Sequence, residues 1–103
     1  MAFKELLISY APDADKIKHR SFIDTGKYQQ FSVVVRNLEE AIEVCKEFIE
    51  NKKIEKVALC PGFTHADVAA ISKAVGNNIG VSVSRGDGPS NIISLKALKR
   101  ENF

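Results

Sequence analysis

The residue types best suited to chemistry fall in one short segment, residues 60–65, which reads Cys-Pro-Gly-Phe-Thr-His. Cys60 ends a predicted strand shortly before a predicted helix, and a thiol near a helix N-terminus can act as a nucleophile or redox group. His65 is close enough in sequence to serve as its base. The alternative is that Cys60 is a small buried hydrophobic residue and that His65 is exposed in the first helical turn. Cys60 and His65 are therefore candidate catalytic residues, although the sequence does not decide whether the protein is an enzyme.

The same segment has the backbone features of an anion site. Gly62 permits a tight turn or the close approach of a ligand, and the first turn of the following helix leaves N–H groups that favour a phosphate or carboxylate. The alternative is that Thr64 and Asp67, which have the spacing of a capping box, satisfy those groups themselves. Neither a GxGxxG nor a GxxxxGK[ST] motif is present, so the segment identifies no particular cofactor.

Other chemically useful residues follow neighbouring predicted strands. Tyr10 ends the first strand and Asp13 follows it, while Arg85 and Asp87 follow the last strand. Ligands of open parallel sheets bind beyond the carboxyl ends of the strands, where these residues would meet. Arg85 could pair with an anionic ligand in a bidentate manner, or with Asp87 in an ion pair. The predicted ligand-binding residues are Tyr10, Asp13, Gly62, Phe63, Thr64, His65, Arg85 and Asp87.

The sequence does not predict a metal or cofactor site. Four possible metal ligands lack any diagnostic spacing: Cys60, His65, Asp67 and Asp87. His19 stands between Lys18 and Arg20, which would repel a cation. There is no catalytic-triad order, no paired-carboxylate arrangement and no cofactor fingerprint, so no cofactor is expected.

Composition and length indicate an ordinary globular protein. The chain has 103 residues, of which 45% are hydrophobic and 27% charged, and its net charge is +2. This length predicts one domain, residues 1–103. The mild charge, with no stacking aromatic residues beside the basic cluster at 96–100, does not favour a nucleic-acid partner. Two cysteines cannot form a disulfide framework, and neither a signal peptide nor a membrane span is recognisable, which predicts a cytoplasmic protein without a membrane partner.

Apolar and β-branched runs predict four strands, at residues 3–10, 31–36, 56–60 and 79–84. The third run is apolar almost throughout and suits a strand covered on both faces. The fourth alternates between apolar residues and small or polar ones, so its second face leaves room for a close neighbour. Residues 14–29 show no clear pattern, although Asp13 could cap a short helix there.

Amphipathic segments predict the helices. Asn37 and Glu40 resemble a capping box, and the apolar residues that follow share one face as far as Ile49. A second helix begins near Thr64 and ends at Gly76.

The end of the chain, residues 90–103, is a possible amphipathic tail helix. Its apolar residues are Ile92, Leu95, Leu98 and Phe103. This stripe could pack on its own sheet, or it could dock on another subunit, since a small domain can bury such a stripe by dimerising. The sequence therefore favours a homo-oligomer, and a dimer above other states.

The order of elements from residue 31 is β-α-β-α-β, and such short connections give parallel strands with right-handed crossovers. Adding the first strand predicts an α/β fold with a four-stranded, mainly parallel sheet in the flavodoxin-like order 2-1-3-4. The alternative is a ferredoxin-like α+β fold, because residues 14–29 leave space for antiparallel pairing.

Several segments also carry a resemblance to a known family: residues 11–15, 18–20, 37–41, 59–63 and 74–76. In these segments the chain resembles an uncharacterised family of short prokaryotic proteins, classed as a domain of unknown function. The family pattern at the turn is Cys-Gly-Gly-Phe-Gly, from which Pro61 and Thr64 depart. That departure weakens an anion site built on glycine N–H groups. The resemblance implies the α/β fold and supplies no activity.

Two functions therefore stay open. The first is a small-molecule or anion-binding α/β domain with its site at the strand-to-helix turn 60–65, where catalysis is an option. The second is a non-enzymatic oligomerising or partner-binding module that uses the tail.

Overall fold

The computed structural model describes residues 1–103 as a five-stranded mixed sheet with three helices. The strands are β1 (Phe3–Tyr10), β2 (Arg20–Asp24), β3 (Tyr28–Val35), β4 (Lys56–Leu59) and β5 (Gly80–Val83). The helices are α1 (Leu38–Lys52), α2 (His65–Val75) and α3 (Gly88–Arg100). The strand order is β2-β3-β1-β4-β5, in which β2 is antiparallel to β3 and all other neighbours are parallel. None of the helices is long and apolar enough to cross a membrane.

The structure confirms a single α/β domain and corrects the predicted sheet. The sheet has five strands instead of four, because part of the unpatterned segment 14–29 forms β2. The mixed sheet therefore differs from the predicted four-stranded flavodoxin-like one. Its four parallel strands run in the order β3-β1-β4-β5. The ferredoxin-like alternative is also wrong, because β1 is parallel to both of its neighbours.

β2 is joined to β3 by a tight turn that short-range hydrogen bonds and one glycine stabilise. Gly26 has a φ of 101°, a conformation that glycine adopts without steric cost. Asp24 Oδ1 accepts a hydrogen bond from the Gly26 N–H at 2.8 Å, and the Thr25 N–H donates to the Tyr28 carbonyl at 2.9 Å. The short helix suggested after Asp13 does not form, because Asp15 Oδ1 instead accepts the Ile17 N–H in a turn.

The start of β2 and the loop before it are tied to α1 by ion pairs. The Arg20 guanidinium donates to both carboxylate oxygens of Glu47, at 2.7 and 2.9 Å, and lies 5.3 Å from the centre of the Phe48 ring. This contact lowers the pKa of Glu47. Lys16 forms a second ion pair with Glu43 one turn earlier on the helix. The hairpin therefore has a fixed position although it buries little apolar surface.

The core lies between one face of the sheet and the helices α1 and α2. Asn37 starts α1, where its side-chain oxygen accepts the Glu40 N–H at 2.9 Å, as the capping pattern predicted. α1 then buries Ala41, Val44, Cys45 and Phe48. Burial raises the pKa of Cys45 to about 12, so this thiol is an inert part of the core. The sheet and α2 contribute Leu6, Ile8, Phe31, Val33, Val35, Val57, Leu59 and Ile71.

The opposite face of the sheet has no helical layer. Leu7, Val34 and Ala58 alternate with core residues along their strands, and they are only half-buried. The expectation that the run 56–60 is covered on both faces was therefore wrong. The physical reason lies in the connection from β1 to β3. In a parallel sheet this connection is usually a helix that covers one face, but here it contains β2 and no helix, so this face stays open.

Candidate functional site

The carboxyl ends of the parallel strands bring residues 10, 60 and 84 to one rim of the sheet. The Cys60 N–H donates to the Ile8 carbonyl at 3.1 Å, and the Ser84 N–H donates to the Leu59 carbonyl at 2.9 Å. Tyr10 is joined to Cys60 directly, because its backbone N–H donates to the Cys60 sulfur at 3.3 Å. Two of the segments predicted to flank the turn, those ending β1 and β5, therefore lie beside it.

Gly62 allows the turn to approach β1 closely. A Cβ at this position would lie 3.4 Å from both Cys60 Sγ and Tyr10 Cβ, at the lower limit of ordinary van der Waals contact. The next residue, Phe63, is only 3% exposed and belongs to the core. Phe63 therefore anchors the turn, and the side chain predicted to bind a ligand faces inward.

The N-terminus of α2 is capped by its own side chains. Thr64 Oγ1 accepts the Asp67 N–H at 3.1 Å, and Asp67 Oδ2 accepts the Thr64 N–H at 3.0 Å. These reciprocal bonds occupy two N–H groups that a bound anion would otherwise use. The capping interpretation of this pair, given above as the alternative, is the one the geometry favours.

Arg85 binds the turn itself. Its Nη1 donates to the Phe63 carbonyl at 2.8 Å and to the Pro61 carbonyl at 3.4 Å, while Nη2 lies 3.4 Å from His65 Nδ1. The structure contains no ion pair between Arg85 and Asp87. Since part of the guanidinium is already used by the turn, Arg85 acts here as a support for the 60–65 backbone.

The remaining predicted residues are spread more widely. His65 is exposed and contacts Arg85, and no hydrogen bond joins it to Cys60. Asp13 is exposed in the turn after β1, and Asp87 precedes α3 without a side-chain capping bond. No group of three or more His, Cys, Asp or Glu side chains is arranged to hold a metal ion.

α3 forms the second wall of a cleft above the rim. The cleft has a volume of about 380 Å³, which lies within the range of small-molecule pockets. The Tyr10 ring meets the Phe103 ring edge to face, with centroids 6.2 Å apart. The lining is largely apolar and consists of Ser9, Tyr10, Cys60, Pro61, Gly62, Leu95, Leu98 and Phe103. The sequence marked the last three only as an apolar stripe, so their place in the site was missed.

α3 itself is loosely held. It buries no residue, and the large apolar residues Ile92 and Ile93 are 59% and 72% exposed. Its start is fixed by the 85–91 segment, where Asn91 Nδ2 donates to the Arg85 carbonyl at 3.0 Å. Gly86 has a φ of 73°, at which other residues are strained, and a Cβ there would lie 2.4 Å from Asn91 Oδ1 and force that side chain to move. A helix fixed at its start presents an apolar surface that its own domain leaves uncovered.

These features define a single-domain α/β protein with a half-covered sheet and an apolar cleft at the carboxyl rim. The chain belongs to a family of unknown function, DUF6506, whose model matches residues 2–97. The resemblance to a domain of unknown function, noted from the sequence, is thereby confirmed. No curated protein and no solved structure matches the chain.

Proposed function

We propose that this protein binds a small, largely apolar molecule in the rim cleft. The observation that carries the proposal is the cleft itself, about 380 Å³ between the 60–65 turn and α3. Small-molecule sites of this size are mostly apolar, with a few polar groups that fix orientation. Here the lining residues with polar side-chain groups are Ser9, Tyr10 and Cys60. The ligand would therefore have an aliphatic or aromatic body with one polar end.

This proposal keeps the predicted location and changes the predicted ligand chemistry. An anion held by the N-terminus of α2 is less well supported, because Thr64 and Asp67 cap that helix and Arg85 is bound to the turn. A catalytic role has weaker support than binding, since Cys60 lines the cleft without a hydrogen bond to His65. Cys60 is accordingly proposed as a contact residue whose thiol can report on occupancy.

The first prediction concerns the two thiols. In the folded protein we expect a chromogenic aromatic disulfide to modify Cys60, which is partly exposed, and to leave the buried Cys45 unmodified. The fatty acid decanoate and the aromatic acid phenylpropionate serve as probes, and binding of either in the cleft should slow the modification of Cys60 severalfold. The measurement is the rate of thiol release with and without each probe, and Cys60→Ser identifies the reacting residue.

A pair of variants on one helix makes this test specific. Leu95→Lys places a charge in the cleft wall and should abolish protection, whereas Ile93→Lys makes the same change at an exposed position outside the lining and should preserve it. The proposal is contradicted when neither probe protects Cys60, or when both variants respond alike.

The exposed side of α3 favours a second candidate function, a non-enzymatic module that oligomerises or binds a partner. Ile92 and Ile93 do not line the cleft and remain exposed, and apolar residues of this kind mark interaction surfaces when they lie together. Dimerisation through α3 would bury both side chains without a change in the fold of the single chain.

The second prediction separates this candidate from the cleft. The double variant Ile92→Lys/Ile93→Lys should reduce the mass of any assembly built on α3 while Cys60 protection by the probes persists. Sedimentation velocity measures the mass, and deletion of residues 88–103 should have the same effect on it. An assembly whose mass is unchanged in both variants would rule out α3 as the interface.

A further inference from the structure

The outer edge of β2 is an unpaired strand edge. The His19 carbonyl accepts the Val34 N–H at 3.0 Å, and the Thr25 N–H donates to the Tyr28 carbonyl at 2.9 Å. In an antiparallel pair the hydrogen-bonding residues alternate, so Ser21 and Ile23 face β3 between these two bonds. The backbone N–H and carbonyl groups of the residues between them point away from the sheet. These outward residues are Arg20, Phe22 and Asp24.

We propose that β2 is a homodimer interface, in which two copies pair antiparallel about a two-fold axis at Phe22. The partner of this edge is then a second copy of the same chain, and the two five-stranded sheets become one continuous sheet. An interface of this kind is self-complementary, as a two-fold axis requires. The inference is independent of the ligand proposed for the rim cleft.

The charges of β2 suit this register. With the axis at Phe22, Arg20 lies opposite the partner's Asp24, and Asp24 lies opposite the partner's Arg20. Opposite charges on directly paired residues stabilise a sheet, whereas like charges destabilise it. Arg20 is already oriented, because its Nε donates to the Lys16 carbonyl at 2.6 Å and both terminal nitrogens bind Glu47. Each terminal nitrogen keeps a second N–H for the partner's carboxylate.

The aromatic residues of this edge are also only partly covered by their own chain. Phe22 is 53% exposed and stacks on Phe31 with ring centroids 4.8 Å apart, and Phe31 in turn meets Phe48 at 5.3 Å. An open groove of about 510 Å³ lies over this row, and its lining includes Arg20 and Lys52. The partner's Phe22 would extend the row and narrow the groove. Buried aromatic residues of this kind are enriched at the centres of interfaces.

The other edge of the sheet lacks these features. β5 reads Gly-Val-Ser-Val and carries no charge, so nothing in it selects a register. β2 contains no proline and no lysine, and its central residue Phe22 is apolar, so the centre of this edge lacks those two protections of an exposed strand. The observations therefore favour β2 as the paired edge, and β5 provides a matched control.

The third prediction uses one substitution on each edge. Phe22→Lys places two lysines opposite each other on the axis, and Phe22 is exposed enough for the single chain to keep its fold. Ser82→Lys adds the same charge to β5. In sedimentation velocity at high micromolar concentration, we expect dimers for the unmodified protein and for Ser82→Lys, and single chains for Phe22→Lys.

Cross-linking reads the register directly. In a Cys60→Ser background, Phe22→Cys should form an intermolecular disulfide rapidly under copper–phenanthroline oxidation, which removes the two thiol protons and two electrons. Ser82→Cys should react no faster than random collision allows. The proposal is overturned if the unmodified protein is monomeric, if the dimer survives Phe22→Lys, or if the two cysteine variants cross-link at equal rates. A dimer lost only in Ile92→Lys/Ile93→Lys would assign the interface to α3.

Discussion

Replacing Phe31 with alanine is expected to lower the free energy of unfolding by about 3–5 kcal/mol. Phe31 is nearly buried on β3 and packs between Phe22 of β2 and Phe48 of α1. Removing its ring leaves a cavity at the point where the sheet, the hairpin and the helix meet. Since domains of this kind are stable by about 5–15 kcal/mol, the loss is a large part of the total. Urea unfolding monitored by circular dichroism measures it.

The matched control for this variant is Phe3→Ala. Phe3 loses the same atoms, but it is 44% exposed and has one aromatic neighbour, Tyr28, at a centroid distance of 6.1 Å. We expect this change to cost about 1 kcal/mol or less. If the two variants lost equal free energies of unfolding, the contacts of Phe31 with Phe22 and Phe48 would not be part of the stabilising core. The comparison is best made at low micromolar concentration, so that association through β2 does not contribute.

Ile71→Ala is expected to cost about 2–5 kcal/mol, because Ile71 is the one fully buried residue of α2. The rest of α2 is half-buried or exposed, so Ile71 is the most deeply buried contact of this helix with the core, with Val68 and Val75 packed less deeply beside it. The 60–65 turn leads directly into α2. We therefore expect the variant both to unfold at lower urea concentration and to expose Cys60 to faster thiol modification.

Ile93→Ala serves as the control for Ile71→Ala. It removes the same atoms from a position that is 72% exposed, and its effect should stay within about 0.5 kcal/mol. Cys60 should react at an unchanged rate in this variant. Should Ile71→Ala lower stability without changing the rate at Cys60, the turn would be held by Phe63 and Arg85 independently of the helix.

The parts of the fold that could be predicted are those with a strong apolar period. α1 was recognisable because its capping pair and its apolar stripe agree, and β3 because it is rich in β-branched residues. β2 was not recognisable. It is an edge strand that buries no side chain, and the turn at Gly26 and the ion pair between Arg20 and Glu47 fix its position. Contacts between residues so distant in sequence leave no local pattern.

The location of the candidate site followed from strand order, but its chemistry did not. Parallel strands necessarily deliver Tyr10 and Cys60 to one edge, which the order of elements implied. Sequence spacing could not show that the Arg85 guanidinium binds the Phe63 carbonyl, or that the Phe63 ring faces the core. The contribution of α3 to the cleft was equally hidden, because an apolar stripe does not state which surface it covers.

The central position of β1 has a consequence for synthesis. Both of its neighbours in the sheet, β3 and β4, lie later in the chain, so the ribosome releases β1 before either of them. Until residue 59 has emerged, one side of this apolar strand has no native partner. Long-range parallel pairing forms slowly, and unpaired apolar edges promote aggregation of nascent chains. The same strand order that places β1 at the centre of the sheet therefore leaves one of its edges open during synthesis until β4 has emerged.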